Sequence, residues 1–149
     1  MADEVTVQLG LTVRKNNLNH RPPMRTFKAD LTTPVGPTVG AIIVTTEGTD
    51  VEFTELVDPG WCMITNQEDD EGSSIEIGLY DPETNRFYPM FVIEPGWAFG
   101  PVCFDPSFQW EEYPAGGTGT GTGTGGYTNR LRLRAKAHAC YALVEAFER

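Results

Sequence analysis

Histidine, serine and cysteine are all scarce in this chain, and with them the usual nucleophiles and bases. There are two histidines, three serines and three cysteines among 149 residues. A Ser/His/Asp triad could be drawn only through His20 or His138, and no motif locates an oxyanion hole beside Ser73, Ser74 or Ser107. Cys62, Cys103 and Cys140 are odd in number and isolated, without a Cys-x-x-Cys pair. Such thiols are expected to be buried small hydrophobes rather than disulfides or metal ligands. The expectation is a protein that is not an enzyme and needs no cofactor. Long apolar runs are missing too, so no segment reads as a membrane-spanning helix. The stretch Met1-Ala2-Asp3-Glu4 is acidic and lacks the apolar core of a secretory signal, and there is no Asn-x-Ser/Thr site. Synthesis in a cytoplasm is expected. Positive charge is in short supply: 11 Lys and Arg face 21 Asp and Glu, a net charge of −10. That balance repels phosphate backbones, so nucleic acid is not an expected partner, and the short apolar runs make a membrane no expected partner either.

What the chain has is alternation. Val5, Val7, Leu9, Leu11 and Val13 recur at every second position, the period of a half-buried strand. Residues 14–23 (RKNNLNHRPP) read as a polar link, and 24–31 as a second strand. Residues 38–46 are β-branched and apolar, as in a strand covered on both faces. Residues 50–56 alternate again. Pro59-Gly60-Trp61 and Pro95-Gly96-Trp97 have type II turn chemistry, and each is expected to start a strand. Residues 74–80 and 86–93 flank DPETN at 81–85, the pattern of a hairpin. The final segment, AHACYALVEAFE, has alanines and glutamates that favour helix, yet its apolar residues alternate like a strand covered on both sides. Nine or ten short strands with regular turn signals predict an all-β protein. The expected fold is an antiparallel β-sandwich or jelly-roll-like single domain over residues 1–149.

Residues 116–126 (GGTGTGTGTGG) interrupt this pattern, and 106–126 are expected to form an extended loop or arm. Glycine loses much entropy on ordering, so holding such a tract needs a partner, most simply a neighbouring subunit. Gly121 to Gly126 formally match G-x-G-x-x-G, but a strand follows instead of the helix that a phosphate site requires. The acidic run 68–72 fails the calcium-loop template, because Gly78 stands where the bidentate glutamate belongs. His138 and Cys140 share a strand face on this reading and are expected to be a buried pair rather than zinc ligands. After the tract, NRLRLRAK sets Arg130, Arg132 and Arg134 on one face and Leu131, Leu133 and Ala135 on the other. The arginines form either a solvated face or a ladder that forks onto carboxylates of a neighbouring subunit. With them, Trp110, Tyr113, Gly119, Gly121 and Gly123 are the candidate interface residues. Trp61 and Trp97 are candidates for a ligand platform, since aromatic faces stack on sugars, or for packing.

The order Pro59-Gly60-Trp61, Asn66-Gln67, Ile75-Glu76-Ile77-Gly78, Asp81, Phe87-Tyr88-Pro89 and Pro95-Gly96 resembles the small all-β virion structural proteins of tailed bacteriophages. The similarity runs from about residue 56 to 104; Trp97 stands where that pattern often has an acid, and residues 108–126 are inserted. The resemblance implies a capsid decoration or cement protein located in the virion. It would be homo-oligomeric, with a trimer as the expected assembly, and partnered by the major capsid protein or other virion proteins. A tail- or fibre-associated virion protein and a host-glycan-binding sandwich are the alternatives.

Overall fold

The computed structural model describes residues 5–10, 12–29, 36–53, 55–56, 59–81, 84–103 and 130–148. Twelve strands and no helix occur among them: β1 (Val5–Leu9), β2 (Val13–Lys15), β3 (Leu18–His20), β4 (Arg25–Ala29), β5 (Thr38–Val44), β6 (Thr49–Asp50), β7 (Pro59–Asn66), β8 (Ile75–Asp81), β9 (Arg86–Ile93), β10 (Ala98–Cys103), β11 (Arg130–Ala135) and β12 (Cys140–Glu148). The protein is an antiparallel β-sandwich. One sheet has the order β10-β7-β12-β5, and the other β6-β11-β8-β9. Four of the pairings are nested: β8 with β9, β7 with β10, β6 with β11 and β5 with β12. The described strands from β5 to β12 therefore pair like one antiparallel ribbon folded over itself. The pairs β12–β7 and β11–β8 then stitch its turns together.

The inner faces supply the core. From the first sheet come Val44, Cys62, Ile64, Cys140, Ala142, Val144 and Ala146, and from the second Ile75, Ile77, Ile93, Leu131, Leu133 and Ala135. Small residues on β12 face large ones on β8 and β11, which lets two twisted sheets interdigitate. β12 is a strand despite its alanines and glutamates, because β7 and β5 pair with it on both sides. Backbone pairing outweighs a weak helix preference.

Cys62 and Cys140 are buried free thiols. Burial pushes the Cys62 thiol from 9.0 up to about 12. A pKa raised on folding contributes stability that is complete below the ordinary thiol range and is lost as pH rises toward the folded value. The loss reaches about 4 kcal/mol by pH 12. Accordingly, mass-spectrometric mapping after alkylation at pH 8 should find Cys62 unmodified in the native protein and modified once urea unfolds it. Alkylation of Cys62 at equal rates in both states would contradict its burial.

Three expectations need correction. The long first strand is two: β1 ends at Leu9 and pairs with β4, whereas β2 pairs with β3 across Asn16 and Asn17. Asn16 has φ 51°, a left-handed geometry that asparagine tolerates, so the supposed polar link is a tight hairpin. Residues 50–56 are not a strand beyond Asp50. Val51, Phe53 and Leu56 are buried, and Leu56 N–H closes a turn onto Phe53 O at 3.0 Å. Their near-alternation serves an irregular plug rather than a ladder. Pro59-Gly60 is no turn either: Pro59 opens β7 opposite Glu148, an allowed place for a residue without N–H. The second Pro-Gly does turn. Gly96 has φ 71° and Trp97 N–H bonds Glu94 O at 3.0 Å, as type II geometry demands. The hairpin at 81–85 also forms, joining Asp81 to Arg86.

Candidate functional site

The alternation of β11 sends Leu131, Leu133 and Ala135 into the core and Arg132 and Arg134 to the outer face. There the register does the rest. Asp50 of β6 lies opposite Arg132, and Glu76 of β8 opposite Arg134. Arg132 Nε donates to Asp50 Oδ1 at 2.5 Å, and Arg134 Nη2 to Glu76 Oε2 at 2.6 Å. Each guanidinium also covers a ring: Arg132 sits 3.2 Å from the Tyr80 centroid and Arg134 4.5 Å from that of Phe87. Burial by itself would lower the Arg132 pKa, but its hydrogen bond to Asp50 and the Asp50 charge raise it, with Tyr80 adding to the rise. The cation is thus held firmly.

The carboxylates that Arg132 and Arg134 fork onto belong to the same chain, because strands on either side of β11 supply them in register. Glu76 and Tyr80 were legible as outward positions of SIEIGLY, but their pairing with the arginines needed the strand order. Arg130 pairs in backbone register with Tyr80. Trp110, Tyr113, Gly119, Gly121 and Gly123 lie outside the described residues, as does the whole Gly/Thr tract.

The outer face of the other sheet has a different chemistry. Ile43 and Tyr141 are register partners there, 54% and 55% exposed. Leu143, Met63, Trp61 and Phe147, each half-buried, continue the same face. An outer sheet face normally alternates to polar; this one is mostly apolar, with Thr65 and Glu145 as its polar members on β7 and β12. The rim of the sandwich is apolar as well. Tyr88, Met90, Phe91 and Val92 of the edge strand β9 are exposed, although Phe91 stacks on Phe99 of β10 at 4.6 Å. A register shift between Ile77 and Gly78 and a proline at position 89 interrupt this edge. Both features discourage strand addition, so β9 offers side chains rather than backbone to a partner.

Comparison of the chain with protein-family models, with curated proteins and with solved structures finds no match. Its chemistry is therefore read from its own residues. Trp61 and Trp97 do not form one platform. Trp61 lies on the apolar face opposite Phe147, whereas Trp97, 69% exposed, sits on the β9–β10 turn and accepts a hydrogen bond from Asn66 N–H. Five residues of β7 separate these points, about 16 Å of strand.

The structure does bring one serine to a histidine. Ser73 Oγ and His138 Nε2 are hydrogen-bonded at 3.0 Å, and Cys140 Sγ donates to His138 O at 3.1 Å. His138 is exposed and precedes β12, so it shares no strand face with Cys140, contrary to expectation. Ser73 is fully buried beside Asn66, whose Nδ2 donates to Ser73 O at 2.7 Å. The cluster ties the loop before β8 to the start of β12. Among the described residues no His, Cys, Asp and Glu group is arranged to hold a metal ion.

Proposed function

We propose that this chain is a structural subunit of a bacteriophage-type virion, a decoration or cement protein that stabilises the head through contacts between copies and with the major capsid protein. The observation that carries this reading is the nested pairing of β5 through β12. Two four-stranded sheets with nested pairing support a jelly-roll reading, and jelly rolls recur in viral capsid domains and in lectins. The uncovered apolar surfaces support it further. A monomer rarely exposes contiguous apolar area of this kind, and burial of such area drives assembly. Weak contacts repeated over a shell add through effective concentration. A host-glycan-binding role is the second reading, favoured by the exposed indole of Trp97 and tested by whether sugars quench its fluorescence.

The deciding experiment is copy number in purified particles, quantified by mass spectrometry against the major capsid protein. Hundreds of copies are expected for shell decoration. About a dozen, the count of a unique vertex or tail ring, would move the protein to the tail. Its absence from particles would overturn the virion reading.

A further inference from the structure

We propose that strands β1 to β4 form a basic β-arm that docks on the mostly apolar outer face of the β10-β7-β12-β5 sheet in a second copy of this chain. The proposal deepens the reading of the protein as an assembling subunit, but it does not depend on where in a particle that subunit sits.

The arm is set apart by its pairing. β1 pairs with β4, and β2 with β3, so the chain runs out and back as a ribbon that joins neither sheet of the sandwich. Its apolar side chains Leu9, Leu18, Met24 and Phe27 are about half exposed or more. A ribbon of two-stranded pieces is marginal in water until something covers its apolar side.

Charge identifies the cover. Residues 5–29 contain five Lys and Arg (Arg14, Lys15, Arg21, Arg25, Lys28) and no Asp or Glu. Residues 30–149 contain 6 Lys and Arg against 19 Asp and Glu, a net charge of −13. Two of those six cations are already matched within the sandwich, by Asp50 and Glu76. The arm and the body are therefore opposite in sign, and the body surplus is acidic. A large acidic surplus attracts the arm of another copy and repels nucleic acid. Four exposed apolar side chains on the arm are also superfluous for phosphate binding, but they suit a protein face.

The body offers a surface matched in both respects. Ile43 and Tyr141 stand exposed side by side, and the acidic run at 68–71 borders them. Glu68 Oε1 accepts the Tyr141 N–H at 2.6 Å, which holds the acidic loop against this apolar pair. Within one chain both the arm and this pair remain exposed, so the arm does not cover the Ile43–Tyr141 corner of its own sheet.

The test is sedimentation equilibrium on the full chain. The wild type is expected to associate, with the dissociation constant rising at least about tenfold between about 50 mM and about 500 mM salt. One variant reverses the arm (Arg14→Glu, Lys15→Glu, Arg21→Glu, Arg25→Glu). A second reverses the rim of the face (Asp69→Lys, Asp70→Lys, Glu71→Lys). Each alone should associate at least about tenfold more weakly than wild type, and an equimolar mixture should recover association. Recovery cannot arise from misfolding, and circular dichroism of each variant checks the fold. A monomeric wild type, or variants that associate like it, would overturn the proposal. So would tight binding of a fluorescent single-stranded DNA by the wild type that the arm variant loses, which would assign the arm to phosphate. None of these results alters the copy number in particles, so a failed arm and a failed virion reading are distinguishable.

Discussion

Replacing Gly78 with alanine is expected to destabilise the sandwich by roughly 3 kcal/mol, the upper range for overpacking a tight site. Gly78 pairs with Pro89 at the register shift of the β8–β9 ladder. A methyl group there would overlap the carbonyl oxygen of Tyr88 and stand 2.8 Å from Phe87 Cε2. The oxygen belongs to the backbone, so it moves only if β9 moves. Phe87 lies across the glycine, and Arg134 rests on Phe87 while bonded to Glu76. One added carbon therefore disturbs the strand pairing and the arginine–aromatic layer together. Urea unfolding of Gly78→Ala should show the loss as a lower midpoint. Adding Phe87→Ala should restore only some of it, because the carbonyl still obstructs. Full restoration would make the ring the sole obstacle, and a loss under about 0.5 kcal/mol, the size of an ordinary surface change, would mean that β9 yields freely.

The all-β class was legible because strands signal themselves locally. NRLRLRAK declares its inner face as Leu131, Leu133 and Ala135, and all three are buried. The β9–β10 turn was legible because Pro95-Gly96 carries its own geometry. The same two residue types at 59–60 misled, since proline at the first position of a strand looks no different in sequence from proline in a turn. Residues 51–56 misled for a related reason: Val51 and Phe53 alternate whether they line a ladder or plug an end. Partner choice was not legible at all. Three arginines at alternate positions left a solvated face and another subunit both open, yet Asp50 and Glu76 of the same chain reach Arg132 and Arg134 from 82 and 58 residues away. Only strand order brings them together. Several residues that carried the family resemblance have a local structural reason in this chain. Gly78 makes room for Phe87, Gly96 turns the chain, and Asn66 holds a corner. Much of the resemblance therefore lies in how a sandwich is built.

That corner supplies the other large expected effect: Asn66→Leu should cost about 4 kcal/mol, because it removes three hydrogen bonds to backbone groups at once. Asn66 ends β7, where the chain leaves one sheet to cross to the other, and its side chain is fully buried. Nδ2 donates to Ser73 O at 2.7 Å and to Ile93 O at 3.2 Å, while Oδ1 accepts Glu68 N–H at 3.1 Å. The first two bonds reach the loop before β8 and the end of β9, so one amide joins the two sheets. Leucine has similar bulk and fits a core, which isolates the lost hydrogen bonds from any cavity. Asn66→Asp separates donor from acceptor. Ionised, its carboxylate would face the Ser73 and Ile93 carbonyls with no proton to offer; protonated, it regains one donor. The folded state would therefore raise the pKa of this aspartate. Its stability relative to wild type should be highest below the ordinary carboxylate range and fall as pH rises toward neutrality. Urea midpoints of both variants at pH 4 and pH 8 measure this. A leucine variant within about 1 kcal/mol of wild type would mean that other groups satisfy these carbonyls. An aspartate variant with no pH dependence would show that the amide donor, and hence the link between the sheets, is dispensable.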